Sequence, residues 1–177
     1  MFEGSLSGMS FRQLKPSFSE LILLWCFAGV CAWFHFFEPS QWVPLLDGAN
    51  LLIHEAGHPL LGLVVPSWTV YGGTVFQLAF PLLFTWHFYQ QGHVAGHAFG
   101  LIWLAENFLN IARYMADARQ QQLPLVGGGM HDWFEILNRW SLLDYDVQLA
   151  TGVRIAALLL MAYACFWLLQ CLRDSDE

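Results

Sequence analysis

Apolar residues in this chain come in blocks, divided by short polar punctuation. The first block, Leu21 to Phe37, contains no Asp, Glu, Lys or Arg and ends at the turn-like Glu38-Pro39-Ser40. A second runs from Trp42 to Val65, a third from Thr74 to Tyr89, a fourth from Val94 to Met115, and a last from Val153 to Leu172. Each approaches the ~20 residues that a helix needs to cross a bilayer. The pattern predicts five transmembrane helices. Pro66 to Gly73, which ends in Gly72-Gly73, reads as a loop, and Gln90 to Gly92 as a turn. The first block could be mistaken for a signal peptide. No small-x-small cleavage site follows it, and its end is bulky (Trp33, Phe34, Phe36, Phe37), so an uncleaved span is expected.

The remaining stretch, residues 118–150, is mostly polar. Within it, Trp133, Ile136, Leu137 and Trp140 share one helical face, opposite Glu135, Asn138 and Arg139. A helix of that kind suits a membrane surface. The fold expected is therefore all-α: a single polytopic membrane domain over residues 1–177, about five spans, and an amphipathic interfacial helix on the cytoplasmic side.

Composition agrees. The chain is 56% hydrophobic and only 12% charged, against about 25% charged in a soluble domain. A formal charge of −7 disfavours nucleic acid as a partner; part of the acidic excess is a tail of Asp174, Asp176 and Glu177. Cys26, Cys31, Cys165 and Cys171 all lie in apolar stretches without metal-site spacing and read as packing residues. With the N-terminus inside, Arg12, Lys15, Arg113, Arg119, Arg139 and Arg154 fall on the cytoplasmic side and only Arg173 outside, in accord with the positive-inside rule.

Against this apolar background a few polar residues stand out. His54-Glu55-Ala56-Gly57-His58 lies in the second block. Histidines four apart on a helix project from one face and can share a zinc ion, and the glutamate after the first can act as general base. Ionisable residues within a span mark a functional site, because leaving them unpaired in lipid is costly. Pro59 follows directly and predicts a kink or break there. On the fourth block, Glu106, Asn110, Arg113 and Asp117 form one stripe, read as the wall of a polar cavity.

A catalytic zinc takes a third protein ligand. Two candidates are Asp117, at the end of the stripe, and His131, just after Gly127-Gly128-Gly129, where backbone can approach closely. Asp132, three residues before Glu135, is expected to cap the following helix or to orient His131. His93 and His97 are a second pair four apart but lack an adjacent glutamate; with His87 they read as histidines of the outer interface.

The His54, Glu55, His58 pattern in a membrane helix resembles the site-2 protease class of intramembrane zinc metalloproteases and their small bacterial relatives. The resemblance implies a three-helix core, here residues 42–117, with His54 and His58 as zinc ligands, Glu55 as catalytic base, and a carboxylate ligand on the core's third helix. It also implies a bacterial inner-membrane location and a membrane-protein or peptide substrate. One departure is plain: the family's Leu-Asp-Gly ligand motif follows the zinc helix, whereas here Leu46-Asp47-Gly48 precedes the zinc motif. The mechanism expected is attack of zinc-activated water on a peptide carbonyl, with Gly72-Gly73 or the Gly127–Gly129 run offering backbone donors. A non-catalytic metal-binding scaffold (a pseudoprotease) and, less favoured, an ion-handling transporter are the alternatives.

Overall fold

The computed structural model describes residues 15–126 and 129–174. Arg12 of the topology argument, Gly127 and Gly128 of the glycine run, and Asp176 and Glu177 of the tail lie outside the described residues. The described chain is helical throughout, in the order α1 (Phe18–Phe37), α2 (Leu46–Val64), α3 (Thr69–Gln90), α4 (Val94–Ala116), α5 (Asp132–Arg139) and α6 (Asp146–Arg173). Single 3₁₀ turns at Pro66–Trp68 and Leu143–Tyr145 precede α3 and α6.

Local chemistry moves several boundaries from where the apolar blocks put them. α1 begins before its block because Ser17 and Glu20 close a capping box: the Ser17 hydroxyl accepts from the Glu20 N–H at 3.2 Å, and Glu20 Oε2 accepts from the Ser17 N–H at 2.7 Å. α2 begins late. Gln41 and Leu45 have positive φ (49° and 67°), and Asp47 Oδ2 takes the Val43 N–H at 2.6 Å, so the chain turns irregularly before Leu46. α2 then continues through Pro59 to Val64; the proline leaves the Glu55 carbonyl without its helical donor but does not end the helix.

Gly72 and Gly73 are not in a loop. They lie in the first turns of α3, against α2. A Cβ on Gly57 would strike the Gly72 carbonyl, one on Gly72 would strike Gly57 O, and one on Gly73 would enter the His54 ring. The glycines therefore bring two helix backbones into contact, the usual way membrane helices approach closely. Their expected role as backbone donors to a substrate goes with the loop, because this glycine pair faces helix α2.

α4 is the central helix and packs against α3 on one side and α6 on the other. The α4–α6 seam is a heptad of alanines: Ala98, Ala105 and Ala112 on α4, Ala150, Ala157 and Ala164 on α6, all fully buried. Seven-residue spacing keeps them on one stripe of each helix. That stripe starts at Ala150, which is why α6 begins seven residues before its apolar block. Asp146 in its first turn is tied back to Arg119, beyond the end of α4, at 2.7 Å. α1 lies across α4 and α6, burying Leu21, Leu24, Ala28 and Cys31 in the same core. α5 buries Ile136 and Leu137 in the protein rather than leaving that whole face for lipid, while Trp140 stays exposed and bonds the Tyr71 hydroxyl at 3.0 Å.

Among the described residues, two helices, Phe18–Phe37 and Leu143–Arg173, are long and apolar enough to cross a membrane.

Candidate metal centre

The C-terminal half of α2, the start of α3, the end of α4 and the start of α5 meet at one end of the bundle. His54 and His58, one turn apart, bring their rings together edge to face with centroids 4.9 Å apart. Their Nε2 atoms point to the same oxygen: Asp132 Oδ2 is 2.8 Å from His54 Nε2 and 3.2 Å from His58 Nε2. All three side chains are largely enclosed.

The other nitrogen of each ring is also fixed. His54 Nδ1 faces Gln77 Oε1 of α3 at 3.0 Å, and Gln77 is itself held by its amide nitrogen donating to Asn110 Oδ1 of α4 at 3.1 Å. His58 Nδ1 faces the Thr69 carbonyl at 2.9 Å. An acceptor at Nδ1 sets the tautomer that leaves the Nε2 lone pair for a metal, the arrangement common to metal-bound histidines. Each Nε2 nevertheless faces a carboxylate, so a positive charge belongs between them.

Asp132 is brought there by α5. Its backbone N–H donates to the Tyr114 hydroxyl at 3.0 Å, and the Tyr114 ring lies over His131 with centroids 4.1 Å apart. Burial raises the Asp132 carboxyl, but the His54 and His58 imidazoles beside it outweigh that and leave the group below the usual carboxylate range.

Neither residue expected as the third ligand reaches the imidazoles. His131 is the N-cap of α5: Nδ1 accepts the Phe134 N–H at 3.2 Å, and Nε2 faces Asp117 Oδ2 at 3.4 Å. Burial holds His131 below the ordinary imidazole range, consistent with a neutral ring accepting at Nδ1. Asp117 accepts the N–H groups of Gln122 and Leu123, both at 2.9 Å, and so folds the chain after α4. The two form a brace behind Asp132. The physical reason is positional: an N-cap side chain turns back onto its own helix's first turn, whereas the next residue's is free to project. The centre therefore draws its carboxylate from beyond the 42–117 core. The only sequence signal for this was Asp132 itself, read as a cap or as a residue orienting His131.

Glu55 lines a cavity of about 410 Å³ together with His54, Gln77, Asn110, Arg113 and Tyr114. Trp42, Leu51 and the segment 123–126 give it an apolar rim. Of the α4 stripe, Asn110 and Arg113 reach this cavity, Asp117 ties the loop, and Glu106 is buried elsewhere. The outer histidines do not converge: His93 Nδ1 accepts the Gly96 N–H, His97 bonds the Thr85 carbonyl, and His87 pairs with Gln91.

Two imidazoles and one carboxylate are a donor set of catalytic zinc sites, with a fourth position left for water. A tetrahedral ion with bonds of about 2.0–2.1 Å holds neighbouring donors about 3.3 Å apart. Of the two imidazole-to-carboxylate spacings here, 3.2 Å is close to that and 2.8 Å, a hydrogen-bond distance, is about 0.5 Å shorter. The residues fit zinc. No protein-family description matches the chain, and neither a characterised protein nor a solved structure shows significant similarity to it.

Proposed function

We propose that this chain is a zinc-dependent intramembrane endopeptidase of the site-2 protease type, hydrolysing peptide bonds of membrane-embedded substrates. The observation that carries the reading is the convergence of His54, His58 and Asp132 on one point, beside a cavity that Glu55 lines.

In this reading α1 to α4 and α6 all cross the bilayer, with the N-terminus and α5 on the cytoplasmic side. The outward faces support it: Leu52, Leu60 and Leu63 of α2, and Phe80, Leu83 and Trp86 of α3, are all exposed, as lipid-facing residues are. α2, α3 and α4 are less apolar than α1 and α6 because they carry the inward polar groups. That is where intramembrane polar residues are expected.

When bound, zinc supplies the Lewis acidity that makes water nucleophilic near neutral pH. His54, His58 and Asp132 hold the ion, with Gln77, Thr69 and Tyr114 fixing their orientations. Glu55, on the cavity side of the motif, takes the proton from the attacking water and returns it to the leaving amine. The apolar rim accepts an extended segment of substrate helix and restricts bulk water.

The test is reconstitution in liposomes with a mixed set of single-span peptides, followed by mass spectrometry for new N-termini. The zinc-loaded chain generates them. Glu55→Gln keeps its zinc and generates none. Cleavage by Glu55→Gln at the parent's rate refutes the mechanism. Zinc binding without cleavage by either chain supports a pseudoprotease scaffold.

A further inference from the structure

A second cluster of metal-ligating side chains lies deeper in the bundle, and the proposed hydrolysis does not use it. His35 near the end of α1, Asp47 at the start of α2 and Glu106 in the middle of α4 each offer one donor atom, and these atoms all lie within 4.8 Å of one another. Their exposures are 5%, 0% and 0%. Asp47 stands seven residues before His54, about 10 Å along α2. That is well beyond the 3.5–4 Å separating the ions of two-metal sites, so this is a separate centre.

The hydrogen bonds around the cluster bring no cation into it, although the Arg113 guanidinium, on the wall of the cavity that Asp47 also lines, acts on Asp47 from outside the cluster. Glu106 Oε1 faces His35 Nε2 at 3.3 Å, and Glu106 Oε2 accepts from Asn50 Nδ2 at 2.7 Å. Asn50 is oriented in turn by the Trp103 indole N–H, which donates to its Oδ1 at 2.9 Å. Asp47 Oδ2 is taken by the Val43 N–H. Asp47 Oδ1 is buried with no N–H donor beside it, on a carboxyl group within hydrogen-bonding reach of Glu106. Asn107 Oδ1, joined to the same network through Asn50, is likewise buried without a partner. Native proteins rarely leave buried acceptors unpaired, and two facing carboxylates removed from water need a proton or a cation between them.

We infer that a divalent metal cation binds between His35 Nε2, the Asp47 carboxylate and the Glu106 carboxylate, tying α1 to α2 and α4. One imidazole and two carboxylates without a thiolate suit a first-row ion such as Zn²⁺ or Mn²⁺. The two carboxylates neutralise its charge at the inner end of the cavity, whose wall Asp47 shares. The ion's role is structural, since all three ligands are enclosed.

The experiment is metal counting. Purified chain in detergent is stripped with a chelator, reloaded with Zn²⁺ or Mn²⁺, desalted and analysed for metal per chain. The unaltered chain is expected to hold two equivalents, His54→Ala/His58→Ala one, and Asp47→Asn/Glu106→Gln one. X-ray absorption of the ion left in His54→Ala/His58→Ala is expected to show one imidazole among oxygen ligands. No metal in His54→Ala/His58→Ala with either ion overturns the inference and assigns a shared proton to the cluster. So does a residual ion without an imidazole ligand. If Asp47→Asn/Glu106→Gln does not fold, the His54→Ala/His58→Ala chain decides alone. A chain that keeps one equivalent after His54→Ala/His58→Ala and none after Asp47→Asn/Glu106→Gln supports this site while refuting the other.

Discussion

Gly73→Ala tests the geometry of the metal centre without touching a ligand. A Cβ at Gly73 would sit 2.6 Å from both Cδ2 and Cε1 of His54 and closer still to Nε2. Carbon atoms pack at about 3.5–4.0 Å, so the ring or the α2–α3 contact must yield by about 1 Å. The α2–α3 contact cannot close up elsewhere, because Gly57 and Gly72 already place the two backbones together. Zinc–donor bond lengths in plausible sites fall within about 0.2 Å of their usual values. The expected result is a zinc dissociation constant raised about 100-fold, together with an overpacking cost of about 1–3 kcal/mol. The two effects separate in a melting experiment. At zinc equal to 100 times the parent's Kd, binding stabilises the parent by about 2.7 kcal/mol. At the same zinc concentration a 100-fold weaker variant gains about 0.4 kcal/mol. Gly152→Ala is the control: it lies in α6 with nothing within 4 Å of the added methyl, and alanine improves helix propensity by up to about 1 kcal/mol. An unchanged zinc-induced stabilisation in Gly73→Ala would show that His54 does not need the position in which α3 holds it.

Ligand and brace should separate by magnitude. Asp132→Asn removes the charged donor and is expected to abolish stoichiometric zinc, whereas Asp117→Asn, acting through His131 and the loop, should weaken zinc by about 10–100-fold, both measured by chelator competition. Zinc loss in Asp117→Asn with retention in Asp132→Asn would return the third-ligand role to Asp117. At the other seam, Asp146→Ala strips Arg119 of bonds at 2.7 and 2.9 Å and frees the Val147 N–H. Because the Arg119 side chain is exposed, its ion pair adds little, and the expected outcome is a clear drop in melting temperature carried chiefly by the freed Val147 N–H; an unchanged melting temperature would mean that α6 is anchored by its alanine seam alone.

The amino-acid order determines the helices and the chemistry of the first two candidate ligands. Apolar blocks of helical length, separated by Glu38-Pro39-Ser40 and Gln90 to Gly92, leave little choice of element type. The four-residue step from His54 to His58 puts both rings on one face whatever surrounds them. The heptad of alanines on α4 and α6 was equally present in the letters. Its meaning needed the partner helix, because a small residue reads as packing only when something packs on it.

Contacts across long sequence separations are decided in space. Asp132 is 74 residues from His58, and nothing local distinguishes it from its neighbour His131; the turn at the head of α5 sends one side chain back to the helix and the other to the imidazoles. Gly72 and Gly73 likewise looked like a loop because glycine's local preference is for turns. Here the absence of a side chain serves α2's approach to α3. Glu106, read as one member of a stripe, is drawn away from Asn110 and Arg113 by His35 and Asn50, which come from other helices. Periodicity along one helix reports which face is turned inward, and only the neighbouring helices fix what that face meets.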